Sequence, residues 1–205
     1  MKIGILGAGH IGKALARLLS EAGHEVGISN SRGPDTLRDL THALGHGVKA
    51  FTSEDAARFG ELVIETIPFG RFMDIPAVQL EGKIVIDTAN YYPERDGQID
   101  LGGLSESAFI ARHLPKARVV KAFNTIHFEH LESQGDTGKP LDERRAIFIA
   151  GDDQDAKDVV TRLIEEIGFA AVDTGSLEDS KVQQPGTPIY GPDLTAVQAR
   201  EALNK

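Results

Sequence analysis

The chain contains 205 residues, carries a formal net charge of −9 and has no cysteine. Its length corresponds to one large domain, and the missing cysteine excludes a disulfide scaffold, a Cys-ligated metal site and a thiol nucleophile. The acidic balance without a basic run argues against a nucleic-acid partner, and no apolar run approaches the ~18 residues of a membrane span. We therefore expect one domain over residues 1–205, with 175–205 as a C-terminal extension, and, because no signal peptide is visible, a cytoplasmic location.

Short apolar runs alternate with helical patterns along the first half of the chain. Helical spacing predicts one helix from Ile11 to Ala22 that is ended by Gly23, one ended by Gly45 and one whose N-cap is Ser53. A helical piece containing Pro76 follows the fourth strand. The predicted strands cover residues 2–6, 25–29, 48–51, 62–67 and 83–87, and the second and third helices cover 34–44 and 53–59.

The second half continues this alternation after a loop over residues 89–104. A second long loop is expected over 132–143, and the chain is irregular from Gly175 until a short helix after Pro192. The remaining predicted strands cover 118–123, 145–150 and 169–173, and the helices 105–113 and 152–167. The alternation predicts an α/β fold, namely a doubly wound, mainly parallel Rossmann sheet with extra C-terminal strands and a short irregular tail.

A glycine-rich sequence lies between the first strand and the first helix. It reads Gly7-Ala8-Gly9-His10-Ile11-Gly12. Gly7 would allow a tight turn, Gly9 would let the backbone approach a pyrophosphate, and Gly12 would let the helix pack closely on the strand. The free N–H groups and positive dipole of a helix N-terminus favour an anion. The sequence therefore predicts a dinucleotide site, and a glycine-rich turn without a ligand is the alternative.

The end of the second strand lacks the acidic residue that usually binds the ribose 2′-hydroxyl of NAD. The chain reads Ile28-Ser29-Asn30-Ser31-Arg32 at this place. A 2′-phosphate needs hydrogen-bond donors and a fixed positive charge, both of which an arginine supplies. We therefore predict NADP as the cofactor, contacted by Asn30, Ser31 and Arg32. The alternative is that Arg32 is an ordinary solvated loop residue.

Together with later segments, these residues resemble one known family. The chain resembles the NADP-dependent oxidoreductases that reduce or oxidise a deazaflavin (coenzyme F-420) and their bacterial relatives. It is more distantly similar to the reductase domain of the six-transmembrane metalloreductases. The resemblance covers nearly the whole chain and is carried by residues 5–12, 30–32, Glu65-Thr66-Ile67-Pro68, Asp87-Thr88-Ala89-Asn90-Tyr91-Tyr92, Val120-Lys121-Ala122-Phe123-Asn124-Thr125 and Gly151-Asp152-Asp153.

The resemblance implies hydride transfer between nicotinamide and a second flat ring in a dry cleft. The archaeal deazaflavin enzymes tend to carry His-Thr-Ile-Pro where this chain has Asn124-Thr125-Ile126-His127. The version found here is more similar to the metalloreductase domain, which passes hydride to a flavin. The expected co-substrate is therefore a deazaflavin (coenzyme F-420), FMN or FAD.

Ligands of doubly wound sheets bind beyond the carboxyl ends of the strands, and this rule selects the remaining candidate residues. Asn124 and Thr125 are the candidate catalytic residues, since they could hydrogen-bond the carboxamide or the acceptor ring. The alternative for Asn124 is a turn residue that caps the strand end. The further candidate cofactor-binding residues are Thr66, Ile67, Pro68, Ala89 and Asn90.

Other ionisable residues give weaker indications. The pairs His42/His46 and His127/His130 have metal-ligand spacing, but a Rossmann hydride enzyme does not require a metal, and none is expected. Glu65 lies in an apolar strand, where a buried carboxyl is either a functional candidate or paired with a nearby group.

Two other functions remain open at this stage. One is an NADPH-dependent reductase of a small carbonyl or imine, and the other is a redox sensor that binds NADPH without turnover. The expected partners are the small-molecule cofactor and its acceptor, with no nucleic acid and no membrane. The irregular C-terminus also suggests docking against a second subunit, so we expect a homodimer.

Overall fold

The computed structural model describes residues 1–204, built around one eight-stranded sheet; Lys205, the last residue of the expected extension, lies outside the described residues. The strands are β1 (Lys2–Leu6), β2 (Glu25–Ser29), β3 (Lys49–Phe51), β4 (Leu62–Glu65), β5 (Ile84–Asp87), β6 (Arg118–Lys121), β7 (Ala146–Gly151) and β8 (Ala170–Asp173). No helix within the described residues is long and apolar enough to cross a bilayer.

The described chain has eight α-helices and several 3-10 helices; seven of the α-helices lie between strands, and α8 follows β8. The helices are α1 (His10–Glu21), α2 (Arg38–Leu44), α3 (Ser53–Phe59), α4 (Pro93–Asp96), α5 (Glu106–His113), α6 (Phe128–Ser133), α7 (Gln154–Glu166) and α8 (Ala196–Leu203). The helical piece expected around Pro76 consists of two 3-10 helices, Phe69–Asp74 and Ala77–Leu80. The sequence reading missed α6, and it missed α4, which lies inside an expected loop.

The strands lie in the order β3-β2-β1-β4-β5-β6-β7-β8. All neighbours from β3 to β6 are parallel, whereas β7 runs antiparallel to β6 and parallel to β8. The expected doubly wound, mainly parallel sheet with extra C-terminal strands is therefore confirmed. Because the chain order reverses between β1 and β4, a crevice opens beyond the carboxyl ends of these two strands.

Both faces of the sheet are buried, as the unpatterned apolar strands predict. In β4, Ile64 packs in the core that also contains Leu15 of α1, whereas Val63 packs in the core that contains Ile110 of α5. Adjacent residues of a strand point to opposite faces, so the helices α1 and α5 lie on opposite sides of the sheet.

Several element ends differ from the expectation. The strand expected to reach residue 123 ends at Lys121, because Phe123 has a left-handed backbone (φ 62°) that cannot continue a strand. The strand expected over 62–67 ends at Glu65. Ser53 is not the N-cap of α3 but its first helical residue; the N-cap is Thr52, whose side chain accepts a hydrogen bond from the Asp55 N–H.

The corrected N-cap can be tested by paired substitutions. We expect Thr52→Ala to lower the free energy of unfolding by about 1 kcal/mol, since it removes the acceptor for a helix N-terminal N–H. Ser53→Ala, the matched control, should change it by less than about 0.5 kcal/mol. Urea unfolding followed by circular dichroism measures both values. A larger loss in Ser53→Ala than in Thr52→Ala would contradict the assignment.

Candidate functional site

The glycine-rich turn packs tightly on one side and is open on the other. A Cβ at Gly7, whose φ is 110°, would lie 2.6 Å from Thr66 Oγ1, and a Cβ at Gly12 would overlap the Gly7 carbonyl oxygen. A Cβ at Gly9 would meet no atom of the described chain within 4 Å. The turn therefore needs Gly7 and Gly12 for packing, whereas Gly9 leaves open space beside the N-terminus of α1.

This open space belongs to a cleft of about 600 Å³ beyond the carboxyl ends of β1, β2, β4 and β5. The structure brings together in its lining every predicted cofactor-binding residue except Gly12. These residues are Gly7, Ala8, Gly9, His10, Ile11, Asn30, Ser31, Arg32, Thr66, Ile67, Pro68, Ala89 and Asn90. Gly12 lies behind the cleft, where its missing side chain allows α1 to approach the turn.

The rim of the cleft at the end of β2 is preorganised by short-range hydrogen bonds. Asn30 Oδ1 accepts from the Arg32 backbone N–H at 2.9 Å, and Asn30 Nδ2 donates to Thr36 Oγ1 at 2.9 Å. The Arg32 side chain is exposed at this rim and lines the cleft. The arrangement offers a fixed positive charge to an anionic group bound there.

Four lining residues were not among the predicted cofactor-binding residues: Arg71, Thr88, Tyr92 and Arg95. Arg71 lies in the 3-10 helix Phe69–Asp74, part of the expected helical piece, and Arg95 lies in α4, within an expected loop. Arg95 donates to the Asn90 carbonyl oxygen at 2.6 Å and lies over the Tyr92 ring. No acidic residue of the described chain lines the cleft, but Asp74 and Asp96 pair with Arg71 and Arg95 beside it, so the uncompensated positive charge of the lining lies at Arg32.

The structure does not bring the two predicted catalytic residues to the surface of the cleft. Asn124 and Thr125 are each only 4% exposed, and neither lines the cleft. Asn124 Nδ2 donates to Asn90 Oδ1 at 3.1 Å and to the Gln183 carbonyl oxygen at 2.8 Å, and Asn90 Nδ2 donates to the Asn124 carbonyl oxygen at 2.8 Å. In this geometry Asn124 orients Asn90, which itself lines the cleft.

The C-terminal segment reaches the same wall of the cleft through Tyr190. Its hydroxyl lies 2.5 Å from the Tyr92 hydroxyl and 3.3 Å from Asn90 Nδ2. Burial, and secondly the hydrogen bond with Tyr92, raise the pKa of Tyr190 above its ordinary value. The hydroxyl of Tyr190 is therefore protonated at neutral pH, and no local sequence motif indicates this contact.

The adjacent tyrosines point to different environments. Tyr92 lines the cleft, whereas the Tyr91 ring packs on Phe69 at a centroid distance of 5.2 Å. The Tyr91 hydroxyl donates to the Gly97 carbonyl oxygen and accepts from the Ile99 N–H. Only Tyr92 is therefore placed to contact a ligand.

Neither of the histidine pairs, His42/His46 and His127/His130, lines the cleft. Within the described residues, no group of three His, Asp or Glu side chains is close enough to hold a metal ion. His130 pairs with Asp193 at 2.9 Å, and His10, which lines the cleft, stacks on Phe128 at a centroid distance of 4.2 Å. The hydrogen bond to Asp193 thus accounts for the His130 ring, and the stacking on Phe128 accounts for the His10 ring.

Carboxyl groups are buried below the cleft. Glu65 is 1% exposed, Asp87 is fully buried beside Lys121, and Glu106 of α5 is 4% exposed. Burial raises the pKa of the Glu106 carboxyl from 4.5 to about 7, although Lys121 lowers it in part. Burial, and secondly Asp87, raise the pKa of Glu65 well above its usual range.

The pKa of Glu106 predicts a pH-dependent stability. Between pH 4.5 and 7 the unfolded chain loses this proton while the folded chain keeps it, so the free energy of unfolding falls as the pH rises. In wild type the free energy of unfolding should fall between pH 5 and pH 8, and we expect Glu106→Gln to make this fall smaller by at most about 3 kcal/mol. Urea unfolding at both pH values measures this, with Glu201→Gln on an exposed position as the control. An unchanged fall in Glu106→Gln would contradict the prediction.

Comparisons with known proteins place the chain among NADP-dependent oxidoreductases and their relatives. The family model for "NADP oxidoreductase coenzyme F420-dependent" matches residues 2–91, which contain β1 to β5 and the lining residues up to Asn90. Among curated proteins, metalloreductase STEAP3 of Rattus norvegicus is 29% identical over 182 residues. That match covers 88% of this chain and 35% of the relative, so the chain spans about a third of the length of such metalloreductases.

Solved structures extend the similarity to nearly the whole chain. The hypothetical protein SMa0349 from Sinorhizobium meliloti is 36% identical, with a TM-score of 0.82 and 95% of each chain covered. A protein from Arthrobacter sp. FB24, described as a candidate F420-dependent NADP-reductase, is 28% identical, with a TM-score of 0.71 and 86% of each chain covered. An imine reductase from Pseudomonas sp., at 18% identity and a TM-score of 0.63, shares the fold alone. Residues 2–91 thus match the family of coenzyme F420-dependent NADP oxidoreductases, and nearly the whole chain is similar to solved structures, one of which is described as a candidate F420-dependent NADP-reductase.

Proposed function

We propose that the chain is an NADP(H)-dependent oxidoreductase that transfers hydride between nicotinamide and a deazaflavin or flavin acceptor. One observation carries the proposal. The cleft at the strand-order reversal combines the open space beside Gly9 with a cationic rim at Arg32, where NAD-binding chains carry an acid. These features suit a pyrophosphate and a 2′-phosphate, respectively.

Different lining residues would contact different parts of a bound NADP. The glycine-rich turn and the first turn of α1 would hold the pyrophosphate, since the first N–H groups of a helix have no partner within the helix and no side chain caps α1. Asn30, Ser31 and Arg32 would hold the 2′-phosphate. Ile67, Pro68 and Ala89 would pack on the dinucleotide and exclude water, while Asn90 would give a polar contact oriented by Asn124. The bound dinucleotide supplies or accepts the hydride.

The acceptor is proposed from the family and from the far wall of the cleft. Tyr92 and Arg95 lie on the loop and helix after β5, three strands away from Arg32 in the sheet. An aromatic ring and a guanidinium suit stacking on a flat heterocycle and pairing with an anion. A deazaflavin or flavin coenzyme contains both a flat heterocycle and an anionic group. In the Arthrobacter relative, the description names F420 itself, which supports the deazaflavin.

We also infer that the described part of residues 175–205 extends the same domain. The Ala146 N–H donates to the Leu194 carbonyl oxygen, and Ala196 and Ala199 of α8 pack against β7 and β8. Tyr190 and Gln183 of this segment contact the wall of the cleft. The homodimer and the cytoplasmic location stay predictions.

The role of Arg32 can be tested by cofactor discrimination. We expect Arg32→Ala to weaken NADPH binding about 10- to 100-fold, because a charge-assisted hydrogen bond contributes roughly 1.5–3 kcal/mol. NADH binding should change by less than about twofold, since NADH lacks the 2′-phosphate. Arg38→Ala, an equal change of charge outside the cleft, is the control. Isothermal titration calorimetry measures each Kd, and equal losses for NADPH and NADH would contradict the assignment.

The acceptor can be tested by single-turnover kinetics. We expect purified protein mixed with NADPH to reduce the deazaflavin coenzyme, FMN or FAD within one turnover, followed as loss of the oxidised acceptor's absorbance. Transfer to a flavin alone would indicate the metalloreductase-like branch. Tight NADPH binding without transfer to any of the three would reject the proposed reaction in favour of a sensor or a carbonyl or imine substrate.

A further inference from the structure

Three ionisable residues end three adjacent strands directly below the cleft. Glu65 ends β4, Asp87 ends β5 and Lys121 ends β6, and the register pairs Glu65 with Asp87 and Asp87 with Lys121. Residues that pair in register on parallel strands point to the same face of the sheet. The three side chains therefore form one buried row, in which none is more than 1% exposed.

Each member of the buried row hydrogen-bonds the backbone that lines the cleft. Glu65 Oε1 accepts from the Ile67 N–H at 2.9 Å, and Asp87 Oδ1 accepts from the Ala89 N–H at 2.9 Å. Lys121 Nζ donates to the Ala89 carbonyl oxygen. Ile67 and Ala89 both line the cleft, so the buried row sets the position of its wall.

The charges within the buried row nearly cancel. Lys121 Nζ lies 3.4 Å from Asp87 Oδ2, which also accepts from Ser107 Oγ at 2.6 Å. Glu65 Oε2 has no partner within the described residues, while the Glu65 carboxyl is within reach of Asp87. A proton on Glu65 would satisfy this atom by donating to Asp87. The neutral Glu65 then leaves one cation beside one anion.

A buried ion pair is a poor source of stability, because desolvation offsets most of the attraction. Its usual benefit is fixed geometry, which a ligand site needs. We propose that Glu65, Asp87 and Lys121 are positioning residues that share one proton between the two carboxyls and fix the Ile67 and Ala89 backbone for the dinucleotide. The identity of the ligand rests on the proposed function, whereas the positioning of the backbone does not.

Two substitutions at Glu65 separate the proton from the side chain. Glu65→Gln keeps an acceptor for the Ile67 N–H and a donor towards Asp87, so we expect a Kd for NADPH within about twofold of wild type at pH 7. Glu65→Leu fills the space without either group and should raise this Kd about tenfold or more. It should also speed amide hydrogen exchange at Ile67 about tenfold in the ligand-free protein. An unchanged Kd and exchange rate in Glu65→Leu, or equal losses in both variants, would overturn the proposal.

The pH profile of binding provides a readout that a merely structural role would not move. The charged groups that face Glu65 are Asp87 from β5 and Lys121 from β6, with Glu106 of α5 packed beside them. All three are present in wild type and in Glu65→Gln, so the difference between the two profiles isolates Glu65. We expect NADPH affinity to fall more steeply towards alkaline pH in wild type. Identical pH profiles of NADPH binding in wild type and Glu65→Gln would contradict the proton shared by Glu65 and Asp87.

A second buried lysine serves as the matched control. Lys157 of α7 is 7% exposed, pairs with Asp173 at 2.8 Å and does not line the cleft. We expect Lys121→Met to raise the Kd for NADPH about tenfold. Lys157→Met should leave this Kd within about twofold of wild type. Both substitutions should lower the midpoint of unfolding. Similar Kd values in the two variants would overturn the role of Lys121.

The ligand-free readout distinguishes this inference from the proposed function. If wild type does not bind NADPH, the proposed function fails. Amide exchange at Ile67 and Ala89 in Glu65→Leu and Lys121→Met then decides the positioning role by itself. Faster exchange at these two amides, against unchanged exchange at Ile64 and Ile86 within the strands, supports it, and uniform acceleration across the sheet rejects it.

Discussion

The close approach of α1 to the ends of β1 and β4 is the contact on which the rest of the cleft depends. Any side chain at Gly12 would overlap the Gly7 carbonyl oxygen, and Thr66 Oγ1 donates to that same oxygen at 3.0 Å. The contact fixes the first turn of α1 directly beside the carboxyl ends of the central strands. Its uncapped N-terminus therefore lies at the crevice, which is the condition for binding a phosphate without a lysine or arginine at that point.

Charge is distributed unequally over this molecule. The chain is strongly acidic, yet the cleft is lined by Arg71 and Arg95, which are paired with aspartates, and by Arg32, which has no acidic partner within the described residues. A low-dielectric cleft lined by one sign of charge concentrates ligands of the opposite sign and discourages those of the same sign. Asp74 and Asp96 pair with Arg71 and Arg95 beside the cleft, and Glu65 and Asp87 are buried beneath it, where Lys121 and a retained proton neutralise them. The surface that a ligand meets is thus cationic, and the groups that support it are nearly neutral.

The wall of the cleft after β5 and β6 is assembled from distant parts of the chain. Asn90 is held by Asn124 and Tyr190, and Asn124 is held in turn by the Gln183 carbonyl oxygen. Because each residue in this series is fixed by the next, a change in the C-terminal segment is transmitted to Asn90 and Tyr92. The segment after β8 therefore contributes to the shape of the cleft although only Asn90 and Tyr92 among these residues contact its interior.

The sequence by itself determined the strands, the glycine-rich turn and the position of Arg32, because these depend on periodicity, on missing side chains and on neighbours within a few residues. The carboxyl-end rule likewise located Ile67, Pro68 and Asn90 correctly in the lining. Only the tertiary structure decided that Asn124 orients Asn90 without lining the cleft, that Tyr190 reaches Tyr92 and that β7 runs antiparallel to β6. Those contacts join residues 34 to 98 positions apart, or depend on the left-handed backbone at Phe123, and no local pattern specifies them. The same holds for the buried row, since its three members meet only when β4, β5 and β6 pair in register.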